Sequence, residues 1–205
     1  MKKYLAALST TALISVAPFA LAASSTDLTV TGTITPSSCT PSLSAGGIVD
    51  IGKIAAKDLN PSTATLVNTT RMELTVACDA PTLFALNAVD NRANTSFNTH
   101  GYGLGLTDAD EKLGAFAPYI LSVEADGVAS GAIDSIDAGT TWRRATYMLP
   151  GRLTSTSDAG DLIPIFVENL LMSLDVRTWI ARTDSLTLTD EVTLDGSATF
   201  EMKYL

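Results

Sequence analysis

The chain has 205 residues, 46% of them hydrophobic and 17% charged, with a formal net charge of −9. That length suits one domain with a sizeable core, or at most two small ones. So acidic a chain repels phosphate backbones, which excludes nucleic acid as a partner class.

Lys2 and Lys3 open the chain, an apolar run follows from Leu5 to Leu21, and Ala20-Leu21-Ala22 has the small-x-small pattern of a cleavage site. Residues 1–22 are expected to be a secretory signal peptide, cut between Ala22 and Ala23. A membrane anchor would need about 20 apolar residues, and Ser9, Thr10, Thr11 and Ser15 interrupt this run. Cleavage would remove both lysines and take the net charge from −9 to −11, leaving Ala23 to Leu205, 183 residues, as one domain. The expected route is export through the periplasm. The residue directly after the cleavage site is Ala23 rather than a cysteine, which argues against a lipid anchor.

From Thr26 to Cys39 the sequence reads TDLTVTGTITPSSC. Leu28, Val30 and Ile34 share one parity and Thr29, Thr31, Thr33 and Thr35 the other, the period of a β-strand ending at Pro36. Cys39 and Cys78 are the two cysteines of the chain. In an exported protein they are expected to pair, stapling this strand to RMELTVAC. The alternative is two unpaired buried thiols.

Pro41 to Gly47 reads as a turn and Ile48 to Ile54 as a short strand. Asp58 to Thr70 is polar, with the turn signal Asn60-Pro61. Arg71–Cys78 places Met72, Leu74, Val76 and Cys78 on one face. Asp79-Ala80-Pro81 breaks it, and Thr82 to Val89 reads as a strand buried on both faces. Asp90 to Gly105 is loop-like. Tyr119 to Glu124 alternates again, and Ala125 to Gly139 is small, acidic and rich in turn residues. Thr140 to Leu149 carries β-formers, and Ser155 to Asp161 reads as a loop. Ile163–Val167 and Leu171–Ile180 read as strands, the second with Met172, Leu174, Val176, Thr178 and Ile180 on one face. A short helix in the 170s is the weaker alternative. Ser197 to Tyr204 puts Ala198, Phe200, Met202 and Tyr204 on one face. Short strands separated by turn signals, with no 3.6-residue period, predict an all-β sandwich or barrel.

Signals of catalysis are weak. His100 is the single histidine, in a loop with no serine and carboxylate to complete a triad, and G-x-S-x-G is absent. No enzyme, metal or cofactor is expected. Gly101, Gly103 and Gly105 lack dinucleotide-binding spacing and read as a turn or a glycine-rich edge. Asp108, Asp110 and Glu111 lack the rest of a calcium loop and read as a solvated turn. Asn68-Thr69-Thr70 and Asn94-Thr95-Ser96 are formal glycosylation acceptors. Trp142-Arg143-Arg144 could stack a sugar ring, and reads first as a core tryptophan between surface arginines.

Taken together, the two ends of the chain resemble pilin-like (fimbrial) subunits of the bacterial chaperone–usher pathway. The matching residues are Val30-x-Gly32-x-Ile34 followed by Cys39, the strand ending in Cys78, Ile51-Gly52-x-Ile54 between them, and the ending Ala198-Thr199-Phe200-x-Met202-x-Tyr204-Leu205. The likeness covers 28–78 and 197–205 and is faint over about 90–190, where the chain is longer than a typical major pilin. It implies an immunoglobulin-like β-sandwich lacking its last strand, completed first by a periplasmic fimbrial chaperone and then by a neighbouring pilin subunit at the usher. On this likeness Phe200, Met202, Tyr204 and Leu205 form the groove edge. Thr26, Leu28 and Val30 form the donor segment. The expected function is a structural or adhesive subunit of a surface fimbria, with a host or surface glycan as a further ligand. A stand-alone secreted or periplasmic β-sandwich that binds a carbohydrate or protein is the alternative. A small outer-membrane barrel fits less well, because the chain is poor in aromatic residues.

Overall fold

The computed structural model describes residues 28–32 and 38–205. The chain divides into two units, residues 1–34 and 35–205. In the first, residues 28–32 form no strand, and Leu28 and Val30 are 89% and 85% exposed. The strand expected over Thr26–Thr35 is therefore not formed in that part. Alternation gives a strand its two faces, but a strand also needs a neighbour for its backbone groups. The signal-peptide reading, the Ala22–Ala23 cleavage and Thr26 lie outside the described residues.

The second unit is all-β. Its strands are β1 (Cys39–Leu43), β2 (Thr65–Thr82), β3 (Phe84–Asp90), β4 (Tyr102–Gly103), β5 (Gly114–Ala125), β6 (Val128–Ser135), β7 (Arg143–Arg144), β8 (Leu153–Ser157), β9 (Val167–Ile180) and β10 (Ala198–Tyr204). Three short 3₁₀ turns are the only helical elements among the described residues. The strands follow one hydrogen-bonded path, β1-β2-β9-β5-β6-β8-β3-β10, with β4 beside β5 and β7 beside β6. β6 changes layer along its length: Val128–Ser130 pair with β5, and Gly131–Ser135 pair with β8. That switch folds the path into a sandwich and leaves β1 and β10 at its two ends.

Period 2 sets the central ladders. Met72, Leu74 and Val76 of β2 and Met172, Leu174 and Val176 of β9 are buried, while Arg71, Glu73 and Thr75 stay exposed. Phe84, Leu86, Ile120 and Val123 join them from the neighbouring strands to make the main core. A smaller cluster forms on Leu104, Leu113 and Ile180. The β2–β9 register shifts between Ala77 and Thr82, where Asp79-Ala80-Pro81 interrupts the ladder.

Several elements differ from the sequence reading. β1 lies after Cys39 rather than before it, with Cys39 opposite Cys78 and Pro41 opposite Val76. Pro41 is tolerated because its missing N–H falls on an edge strand. The turn is Ser44–Gly47. Ile48 to Ile54 alternates as a strand would but has no ladder partner, so it is extended chain without being a strand. Ser155–Ser157 belong to a strand rather than a loop, and every residue of β8 is buried. The hydroxyls make this possible: Ser155 donates to the Phe84 carbonyl at 2.6 Å and Thr156 to that of Gly131 at 3.0 Å. A hydroxyl paired to a strand carbonyl loses most of its burial penalty. Ile163–Phe166 are irregular, and β9 begins at Val167.

Gly114 fixes how closely β5 approaches β9. A Cβ there would run into the Trp179 carbonyl oxygen and come within 2.9 Å of Leu104 Cδ1. The first obstacle is backbone and cannot swing away. Gly114→Ala is expected to destabilise the fold by roughly 2–3 kcal/mol, the range for overpacking a rigid site. Denaturant titration checks this: the midpoint should fall with an unchanged slope.

Candidate functional site

β1 and β10 each pair on one edge only, with β2 and β3 respectively. They come together at the Cys39 end of the sandwich, where the Cys39 N–H donates to the Tyr204 phenol oxygen at 3.1 Å. No strand ladder joins the two among the described residues. Cys39 is bonded to Cys78, which anchors this corner to β2.

Beyond that corner the seam opens into an apolar cleft of about 280 Å3, lined among others by Leu43, Val49, Ile51, Phe116, Leu194 and Phe200. Val49, Ile51 and Leu194 also line a second hollow of about 560 Å3, which reaches Ile54, Leu113 and Val192. The two form one groove. Its walls are the segments 48–54 and 188–197, neither in a strand, with Val49, Ile51, Ile54, Leu188, Val192 and Leu194 half-buried. Lys53 and Glu191 meet across it at 3.3 Å. Both are solvated, so this pair is a weak closure. Gly196 lets the chain approach the floor closely, since a Cβ there would come within 2.8 Å of Leu104 and 2.9 Å of the Phe116 ring.

The floor rests on Tyr102, which lies in β4 within a stretch whose residue types predict a loop. Its ring stacks on Phe116 with centroids 5.0 Å apart and meets the Phe200 edge at 6.4 Å. Its hydroxyl donates to the Met148 carbonyl at 3.1 Å. Burial pushes its phenol far above the ordinary value near 10, and the Asp90 carboxylate adds to the effect. The available signal was Tyr102 and Leu104 alternating between glycines. Gly103 is the companion requirement, because a Cβ there would collide with Thr95 and the Arg92 carbonyl.

The residues named from the sequence fall as follows. Phe200 and Met202 are half-buried against the main core. Tyr204 closes the corner, and the Leu205 N–H donates to the Leu83 carbonyl. Phe200, Met202 and Tyr204 thus lie on the free-edged strand, with Leu205 immediately after it. Leu28 and Val30 belong to the other unit.

The remaining candidates are absorbed by the fold. Trp142 is half-buried and donates to the Gly139 carbonyl at 3.1 Å. Arg143 and Arg152 both bind the buried Asp134 carboxylate, at 2.9 and 2.7 Å. Asp137 holds the turn beside them. Hydrogen bonds from the Thr141 hydroxyl and N–H, then the Ser135 hydroxyl, bring its carboxyl down to about 2. Glu111 is tied to Thr187 and Thr107, and no group of metal-binding side chains gathers among the described residues. His100 sits in an exposed turn beside Thr99.

An all-β sandwich with a disulfide-stapled edge and an open apolar groove between its two terminal strands is the class that fold and site define. A family model described as a protein of unknown function (DUF1120) matches residues 28–101. Protein GltF of Escherichia coli (strain K12) is 30% identical over 251 aligned positions, spanning 100% of this chain and 99% of that protein. The chain belongs to the same family as Protein GltF. Uncharacterized protein YhcF of the same organism is 26% identical, covering 91% of this chain and 94% of its own length. A shorter match, 32% identical, is to Peroxidase N1 of Nicotiana tabacum and covers 36% of that protein, too little to carry an activity to this chain.

Proposed function

We propose that this protein is a structural or adhesive subunit of a surface fimbria, joined to its neighbours by strand donation into the groove between β1 and β10. The observation that carries this reading is the groove itself, with two strand edges at its mouth and two walls that lie outside any strand. A donated strand would satisfy the backbone of both edges and seat alternate side chains in the apolar floor. Left open, such an edge is an aggregation hazard, which gives a periplasmic chaperone a reason to cover it first. Leu28 and Val30 fit the donor role. They are exposed apolar residues two apart, in a segment with strand alternation of which residues 28–32 form no strand.

Co-purification tests this. The full chain, and a version lacking Ser197 to Leu205, are each expressed in a periplasm beside a fimbrial-type chaperone. One-to-one capture of the full chain, lost on truncation, is expected. A full chain that is monomeric, soluble and cooperative in unfolding without any chaperone would overturn strand donation.

A further inference from the structure

Away from the groove, one end of the sandwich carries apolar side chains that are exposed among the described residues. Ile163 is 73% exposed, Phe166 and Val128 66%, and Leu162 42%. They come from the β5–β6 hairpin and the β8–β9 loop, and the ladder brings these together. Gly131 pairs with Ser157, which puts β6 beside the start of the 158–161 turn, and Val128 pairs with Ala125 at the hairpin. The Asp126 carboxylate accepts from the N–H groups of Glu168 and Asn169, at 3.2 and 2.7 Å, fixing the hairpin tip against the start of β9. The loop is held as well: the Ile165 N–H donates to the Thr156 carbonyl at 3.2 Å, and the Ser157 hydroxyl to that of Asp161 at 2.9 Å.

The rim has one sign. Glu124, Asp126, Asp158, Asp161 and Glu168 are all exposed, and none is in an ion pair among the described residues. The nearby cation is Arg144, whose guanidinium donates to the Gly160 carbonyl. Contiguous exposed apolar surface with a polar rim marks an interaction site. The charge selects the occupant. A second copy of this chain, at net charge −9, would bring like charge against the rim. An anionic bilayer is repelled for the same reason.

We infer that the end formed by residues 125–128 and 158–168 docks a different protein, one that presents an apolar face flanked by Lys and Arg. Burial of the four side chains supplies affinity, and the acidic rim supplies orientation and on-rate. The inference does not rest on strand donation, since this surface lies apart from the groove-lining residues.

The test uses the full chain and two amphipathic helical peptides, one of Leu, Ala and Lys, the other with Glu for Lys. Binding is followed by titration, and the footprint by amide hydrogen exchange. The Lys peptide is expected to bind at least tenfold more tightly and to protect 125–128 and 158–168. Ile163→Ser with Phe166→Ser should weaken it tenfold or more, by loss of apolar burial. Asp158→Lys with Asp161→Lys should move the preference toward the Glu peptide. No binding, equal binding of both peptides, or an unchanged affinity in the serine variant would overturn the inference. So would protection confined to β1 and β10, or binding of phosphatidylcholine vesicles in place of the peptide. A footprint in the groove bears on strand donation and one on the hairpin and loop bears on this surface, so the two readings fail separately.

Discussion

Replacing both Cys39 and Cys78 by alanine is expected to cost about 4 kcal/mol of stability, the chain-entropy value for a loop of this length. The bond closes 39 residues of sequence separation. Within that loop lie the unladdered segment 48–54 and the turn at Ser44–Gly47. A second effect adds to the first. β1 is five residues long and pairs on one side only, and the disulfide pins its first residue opposite Cys78. Without that pin the strand can fray, taking with it the Cys39 N–H that bonds Tyr204. Two measurements check this. Denaturant titration of the double variant should give a midpoint well below that of the oxidised protein. Hydrogen exchange should show protection lost first at Cys39–Leu43. A loss below about 1 kcal/mol would mean that β1 is held mainly by its ladder to β2, and that the loop is already restrained in the unfolded state.

How much of this was legible in the sequence depends on what each side chain had to reveal. β2, β9 and β10 were legible because one face of each is apolar, and Met72, Leu74, Met172, Leu174, Phe200 and Met202 announce it with period 2. The cysteine pair was legible from number and context. β8 was not, because its Ser and Thr residues are polar by type and buried in fact, with the hydroxyls of Ser155, Thr156 and Ser157 each finding a carbonyl. β6 was hidden by small residues. Segment 48–54 shows the opposite failure, with strand alternation but no neighbour, since pairing is a property of the whole path rather than of the segment. The groove has the same origin. It exists because two edges at opposite ends of the path face each other unpaired, and no local pattern reports that. Its lining residues Phe200 and Ile51 were named from the likeness to pilins, while Leu104, Phe116, Val192 and Leu194 were seen only once the strands were in place.

Tyr102 is the residue on which groove and core depend together, and its replacement should show both dependences. Tyr102→Ala is expected to cost about 3–5 kcal/mol, as for other large aromatic-to-alanine changes in a core. The cavity would open beneath Phe116 and Phe200, so the groove floor would sag as the fold weakens. Tyr102→Phe keeps the ring and removes the hydroxyl bonded to the Met148 carbonyl. That should cost about 1–2 kcal/mol at neutral pH, because a buried carbonyl loses its donor. The pH dependence separates the two roles. Burial, then the Asp90 carboxylate, raises the Tyr102 phenol in the folded protein. Below the ordinary tyrosine value near 10 both states hold the proton, and the group adds no pH dependence. Above it the unfolded chain releases the proton while the folded chain keeps it, so stability falls by about 1.4 kcal/mol per pH unit. Unfolding midpoints of the natural chain and of Tyr102→Phe, taken from pH 9 to 11, should therefore converge as pH rises, since the phenylalanine variant lacks this slope. Parallel curves would mean that the phenol ionises in the folded state, and that solvent reaches the groove floor through the seam between β1 and β10.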